Sequence, residues 1–170
     1  GSIYDQNSKE VFNEKGISEP SSAYGYQQLA MEEKISNFCE NEKINLTILR
    51  ISSAYGYDPK VPDNGVLNNW LFNAKNNNPI KIYNSLESSI NFISFDQVSK
   101  GINICINKEI FGLYNLGSKE STKLKKILEI VKKTSSKNNL EILKLSDSIR
   151  DFHININLLK LKTNIVFEDE

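Results

Sequence analysis

Apolar positions along this chain come in short, separated bursts whose spacing alternates between the periods of helices and strands. Residues 5–20 are polar, hold Gly16 and Pro20, and are read as a loop. Ser21 or Ser22 then caps a helix reaching to about Asn41, with Leu29, Ile35 and Phe38 on one face. The β-branched run 44–51 has the length of a strand and closes at Ser52-Ser53; residues 54–59 follow as a loop. Residues 65–75 read as a helix presenting Val66, Leu67, Trp70 and Leu71 inward. Short strands are expected at 79–83 and 91–95, with Asp96 capping a helix over 97–107. A buried strand at 113–117 ends in glycine, 121–134 forms a lysine-rich amphipathic helix, and 140–145 is the final strand. Strands alternating with helices predict an α/β fold with parallel pairing.

Composition narrows this picture by exclusion. The 170 residues suffice for one domain or for part of a larger one, and 39% apolar with 25% charged residues is ordinary for a globular protein. Basic and acidic residues balance at 21 each, so charge makes no case for nucleic acid or an anionic membrane as partner. No apolar run approaches the roughly 20 residues that span a bilayer. Cys39 and Cys105 lie far apart without metal-ligand spacing and read as buried thiols in a reducing, cytoplasmic compartment, with no metal expected. None of the eight glycines forms the G-x-G-x-x-G turn that usually opens a nucleotide-binding sheet. The chain starts without an initiator methionine or a signal peptide, so it is expected to be a piece of a longer protein.

The chemistry is concentrated near residue 24. Tyr24 and Gln28 stand four apart on the same helix and share one of its faces. A tyrosine becomes a general acid/base when its pKa falls from about 10 toward neutrality. A neighbouring lysine ammonium lowers it in that way. Glutamine can hydrogen-bond sugar hydroxyls but brings no charge. His153, the single histidine, has no second ligand beside it and reads as a packing or surface residue. Lys123, Lys125, Lys126, Lys132 and Lys133 read as a solvated helix face, and Tyr57, like Tyr55, as a half-buried loop tyrosine.

The segment Pro20-Ser21-Ser22-Ala23-Tyr24-Gly25-Tyr26-Gln27-Gln28-Leu29-Ala30-Met31-Glu32 does not stand alone. Ile3-Tyr4-Asp5 and Asn13-Glu14 precede it, and Arg50-Ile51-Ser52-Ser53-Ala54-Tyr55-Gly56 follows. Pro79-Ile80-Lys81-Ile82-Tyr83, Ile90-Asn91-Phe92-Ile93-Ser94-Phe95-Asp96-Gln97-Val98 and Tyr114-Asn115-Leu116-Gly117-Ser118 come later, in order. Through these landmarks the chain resembles the extended short-chain dehydrogenase/reductase family, in particular its NAD-dependent nucleotide-sugar epimerases and dehydratases. The likeness runs through nearly the whole chain and places it in the carboxyl-terminal half of such an enzyme. It implies the last part of a Rossmann-like parallel sheet with a small α/β substrate-binding lobe. Residues 1–57 and 91–117 would then be the remainder of the NAD(P)-binding domain, and 58–90 with 118–170 the lobe.

The resemblance also implies roles. Tyr24 would take or return a hydroxyl proton while hydride passes to or from the nicotinamide. Tyr24, Gln28, Ser52, Ser53, Ala54 and Tyr55 would line the cofactor, NAD or NADP; Ser53, Val66, Trp70 and Arg150 would face the nucleotide-sugar substrate. A homodimer through the Tyr24 helix is the family-based expectation. Three positions depart from the pattern. Gln28 replaces the family's lysine, Ser53 an asparagine and Ile90 an arginine that pairs with the nucleotide diphosphate. Two readings therefore stand side by side: a fragment of an epimerase/dehydratase serving surface polysaccharide, inactive alone, and a non-catalytic relative that binds a cofactor or partner.

Overall fold

Ser22 starts the longest helix. Its backbone is extended (φ −137°, ψ 151°) and its Oγ accepts the Gly25 N–H at 3.1 Å, satisfying a donor the first turn leaves orphaned. The computed structural model of the chain describes residues 3–4, 11–16, 18–56, 65–134 and 141–165, so Asp5, residues 57–59 and Leu140 lie outside the described residues. Along them run β1 (Val11–Phe12), α1 (Ala23–Asn41), β2 (Thr47–Ile51), β3 (Ser53–Tyr55) and α2 (Val66–Lys75). Next come β4 (Ile80–Ile82), β5 (Ser89–Ile90), β6 (Phe92–Ser94), α3 (Phe95–Asn107) and β7 (Gly112–Leu116). The chain continues through β8 (Thr122–Lys123), α4 (Leu124–Lys132), β9 (Ile142–Lys144), β10 (His153–Ile154) and α5 (Asn157–Thr163).

Pairing is parallel between β2 and β7, β3 and β6, β4 and β9, and β1 and β10, while β5 and β8 pair antiparallel. This is the expected α/β architecture, with one informative departure. The strand does not close at Ser52-Ser53. Ser52 N donates to Leu116 O at 2.9 Å and Ser53 N to Asn91 O at 3.0 Å, so the backbone leaves β7 and takes β6 as its partner within one residue. Residues 53–55, read as closing turn and loop, are therefore a strand. Their turn-like composition hides this because the strand character is supplied by β6, not by local propensity.

Other differences have equally local reasons. Ser94, not Asp96, caps α3 by accepting the Gln97 N–H at 3.3 Å; Asp96 sits in the first turn, where its charge suits the positive end of the helix. The face of α1 is rotated from expectation. Ile35 and Phe38 are exposed (45% and 60%), and the less exposed positions are Gly25, Gln28, Leu29, Glu32, Ser36 and Cys39. Residues 140–145 are not the last strand, since β10 and α5 follow; β1 likewise lies inside the stretch read as loop. Elements this short carry too few residues for a periodic signal.

Two apolar clusters organise the interior. One gathers Tyr4, Phe12, Ile93, Tyr114 and Leu116 with Phe152, Ile154, Ile156 and Leu159. Residues 152–159, grouped by resemblance with the lobe, thus pack on the first cluster. The other holds Trp70, Ala74, Ile80, Ile82, Phe92, Leu124, Leu128 and Val131, built from α2, β4, β6 and α4. Among the described residues no helix is long and apolar enough to cross a membrane.

The partner switch leaves no room beside it. A Cβ on Gly117 would collide with Asn91 Oδ1, and would stand 2.5 Å from Ile154 Cδ1 and 2.9 Å from Ser52 Oγ. Gly117→Ala is expected to lower stability by about 1–3 kcal/mol, the typical cost of overpacking, read as a lower midpoint in urea unfolding. An unchanged midpoint would show that Asn91 and Ser52 yield freely.

Candidate functional site

A turn over residues 42–46 joins α1 to β2, so helix and strand run antiparallel and the helix start stands near the strand's carboxyl end. That is the end at which open parallel sheets bind ligands. Tyr24 is 62% exposed there, and Gln28 is half-buried one turn later. Both line a groove of about 480 Å³ floored by β2, with Met31, Glu32 and Arg50 farther along and Ile3 on its rim. The two residues singled out in the sequence are thus brought to one surface.

Beneath the groove lies a buried polar chain. Arg50 sits inside β2, where an apolar side chain is the ordinary choice, and every direction of its guanidinium is engaged. Nε and Nη2 donate to the two carboxylate oxygens of Glu32 at 3.1 and 2.6 Å, and Nη1 donates to Tyr4 OH at 2.9 Å. Tyr4 OH in turn donates to Asn115 Oδ1 at 2.7 Å, and Asn115 Nδ2 reaches the carbonyls of Phe12 and Asn155. The Asn115 N–H donates to Glu14 Oε1 at 2.8 Å. Arg50 and Asn115 are register partners across β2 and β7, so the chain of bonds crosses the sheet directly.

Burial works against charge at Arg50, but the bonds to Glu32 and Tyr4 outweigh it and hold the guanidinium above its ordinary pKa. Burial also raises the Tyr4 phenol above its ordinary value, with the Arg50 and Asn115 contacts opposing only in part. Tyr4 is further held by stacking on Phe12, centroids 4.9 Å apart and planes 13° from parallel. Sequence reading quoted Tyr4, Glu14, Glu32, Arg50 and Asn115 only as landmarks. The signal available was a lone arginine within a β-branched strand, which demands partners wherever it is buried.

The remaining candidates are distributed unevenly. Ser52 is buried at the partner switch, and its Oγ has no hydrogen-bond partner among the described residues. Ser53, Ala54 and Tyr55 are half-buried in β3, and Tyr55 meets Phe92 edge-on at 6.4 Å. Val66 opens α2 against the second cluster. Trp70 is a core residue, 2% exposed, whose indole N–H donates to Lys81 O at 3.1 Å. Arg150 lies beside β5: its N–H donates to Ser88 Oγ at 2.9 Å and its carbonyl accepts from Ser89 N, next to half-buried Ile90. His153 pairs with Val11 in β10 as a structural residue. The lysines from 123 to 133 are exposed, with Lys123 ion-paired to Glu87 at 2.6 Å.

Comparison with known proteins gives this arrangement a context. The model of the NAD dependent epimerase/dehydratase family matches residues 1–117. No curated protein matches the chain. Among solved structures, UDP-glucuronic acid 4-epimerase from Bacillus cereus in complex with UDP-glucuronic acid and NAD superposes with a TM-score of 0.86 at 20% identity. That match covers 99% of this chain and 55% of the other. dTDP-glucose 4,6-dehydratase from Bacillus anthracis in complex with NAD gives 0.82 at 16% identity, over 96% and 53%. UDP-glucose 4-epimerase from Thermotoga maritima with UDP-glucose gives 0.80 at 20%, over 95% and 53%. At these identities the likeness is one of fold, and the chain spans little more than half the length of the structures it matches.

The raised Tyr4 pKa sets a pH limit. A phenol that holds its proton more tightly when folded contributes its stability fully below its unfolded pKa, near 10.0. That contribution is lost as pH rises through the folded value. Thermal melts between pH 8 and 11 are expected to hold level and then fall above about pH 10, more steeply for the parent protein than for Tyr4→Phe. Equal slopes would assign the alkaline loss to other groups.

Proposed function

The chain belongs to the NAD-dependent epimerase/dehydratase family, and from that premise we propose that it is the carboxyl-terminal portion of an NAD-dependent nucleotide-sugar epimerase or dehydratase. Such an enzyme would supply modified sugars for surface polysaccharide. The observation that carries the reading is the placement of Tyr24 and Gln28 on one groove at the carboxyl end of β2. Free, buried Cys39 and Cys105 suit a reducing compartment, here the cytoplasm.

The residues present suit the nicotinamide end of NAD. A phenol and an amide stand one helical turn apart on an open groove floored by β2, and just past the end of that strand the Ser52 hydroxyl is buried without a partner among the described residues. When bound, the cofactor accepts and returns hydride. Tyr24 would carry the proton: as phenolate it takes the proton of a sugar hydroxyl while that carbon gives up hydride, and as phenol it returns the proton to the carbonyl oxygen when hydride comes back. Gln28 accepts or donates hydrogen bonds beside it without adding charge. Ser53 and Val66 would flank the sugar nucleotide. Arg150, brought against the β5 strand that carries Ile90, would meet the diphosphate from the opposite side of that strand. Trp70 is occupied in the core and has no part in this scheme.

Support for a missing remainder comes from β2. Its partner strand is β7, and an apolar hollow of about 530 Å³ lies on its α3 side, lined by Leu49, Ile51, Ile102 and Phe111. Parallel sheets are covered on both faces. The 170 residues alone are therefore expected to lack activity. Phe38, exposed on α1 outside the Tyr24 groove, suits a homodimer through this helix.

Gln28 also favours a second reading, a relative that binds cofactor or partner without turnover. The full-length protein distinguishes them. With UDP-, GDP- and dTDP-sugars, NAD-dependent conversion is expected, and Tyr24→Phe should lower it by about 10²-fold or more while leaving NAD binding intact. Gln28→Lys should raise the rate. NAD binding without conversion of any sugar, unchanged by Gln28→Lys, would establish the second reading.

A further inference from the structure

α1 carries the proposed proton-transfer tyrosine, yet its packed side is thin. Gly25, Gln28, Leu29, Glu32, Ser36 and Cys39 are its less exposed positions, and of these only Gly25 and Cys39 are buried. Small residues seat a helix closely but give few ridges to resist sliding along its axis. A slip of one residue moves a helix by about 1.5 Å. A misplacement of about 1 Å at reacting atoms costs on the order of 10²-fold in rate. Something must fix the axial position of α1, and apolar packing is poorly suited to do it.

We propose that Arg50 is a positioning residue: its two-pronged bond to Glu32 sets the register of α1 on the sheet, and with it the stand of Tyr24 and Gln28. The part that concerns turnover rests on the function proposed above; the part that concerns register does not. Arg50 is itself immobilised from behind, through Tyr4 OH at 2.9 Å and on to Asn115 Oδ1 at 2.7 Å, on a residue paired with it across the sheet. The guanidinium is therefore a fork of fixed place and plane. Glu32 lies two turns beyond Tyr24 on the same helix, and each of its carboxylate oxygens takes one prong. A planar, two-point bond is lost by sliding or rotation, whereas an apolar contact tolerates both. Buried ion pairs are best attested as setters of register, since apolar pairs of like volume often match them in stability.

That last property supplies the test. In the full-length protein, Arg50→Met combined with Glu32→Leu replaces the fork by an apolar contact. Tyrosines are labelled as 3-fluorotyrosine, and the Tyr24 and Tyr26 resonances are assigned through Tyr24→Phe and Tyr26→Phe. The double variant is expected to fold cooperatively with its Tyr24 resonance shifted or split and that of Tyr26, exposed on another face of the helix, unmoved. Its kcat should fall about 10- to 100-fold with KM little changed. A folded double variant with the parent Tyr24 resonance and parent kcat overturns the proposal. Should the double variant not fold, Arg50→Lys, which keeps charge but loses the fork, is read by the same two signals and decides by the same outcomes. Absence of turnover in the parent would sink the proposed function, yet the Tyr24 resonance would still settle the register.

Discussion

A guanidinium placed inside a strand must be answered on every side, and much of this molecule is arranged around that demand. Arg50 binds Glu32 on the helix, Tyr4 beside it and, through Tyr4, Asn115 on the neighbouring strand. Asn115 draws in the carbonyls of Phe12 and Asn155, and Glu14 closes on its backbone. Six separate stretches of chain, at residues 4, 12–14, 32, 50, 115 and 155, are thereby joined by polar bonds beside the first apolar cluster. Leaving one partner out of such a set costs about 3–5 kcal/mol, since a buried charge is then left uncompensated. The set therefore holds together or fails together.

The second constraint is the change of partner at Ser52. By moving from β7 to β6 in one step, the strand comes to touch both apolar clusters, because Leu116 of β7 and Ile93 of β6 belong to the first and Phe92 of β6 to the second. Asn91 sits at the junction as a substitute for strand pairing. Its side chain accepts from the Ser118 N–H at 3.0 Å and donates to the Ser118 and Glu120 carbonyls, holding the chain that leaves β7. Gly117 is the residue that permits this crowding.

Most of the long elements could be read from the sequence. Helices such as α2 and α3 and the strand β7 have enough residues for their period to show. The two-residue strands β1, β8 and β10 exist only because a distant segment lies alongside them, and no local pattern encodes that. The rotation of α1 misled for a physical reason: its apolar stripe of Met31, Ile35 and Phe38 is exposed, and its inner face is small and polar. Tyr24 and Gln28 could be paired from helical spacing alone. The link from Glu32 to Arg50 could not, because it joins two elements whose faces are defined only once the sheet has formed. Trp70, which the resemblance sets beside the sugar nucleotide and the helical pattern turns inward, is buried in the second apolar cluster.

The pairing of β1 with β10 bears on how the chain acquires its structure. Val11 and Phe12 are among the first residues described, and their partners His153 and Ile154 are among the last. A contact of such sequence separation closes a loop from residue 12 to residue 153, and non-local pairings of this kind slow folding. During synthesis β1 must wait for β10 until residues 153 and 154 have left the ribosome. Phe12, stacked on Tyr4 and tilted against Phe152 at 5.6 Å, belongs to that late closure. The packing behind the ring that backs Arg50 is thus completed only once residues 152–154 have been made, and a nascent chain stalled earlier would hold its central charge with that rear support still unmade.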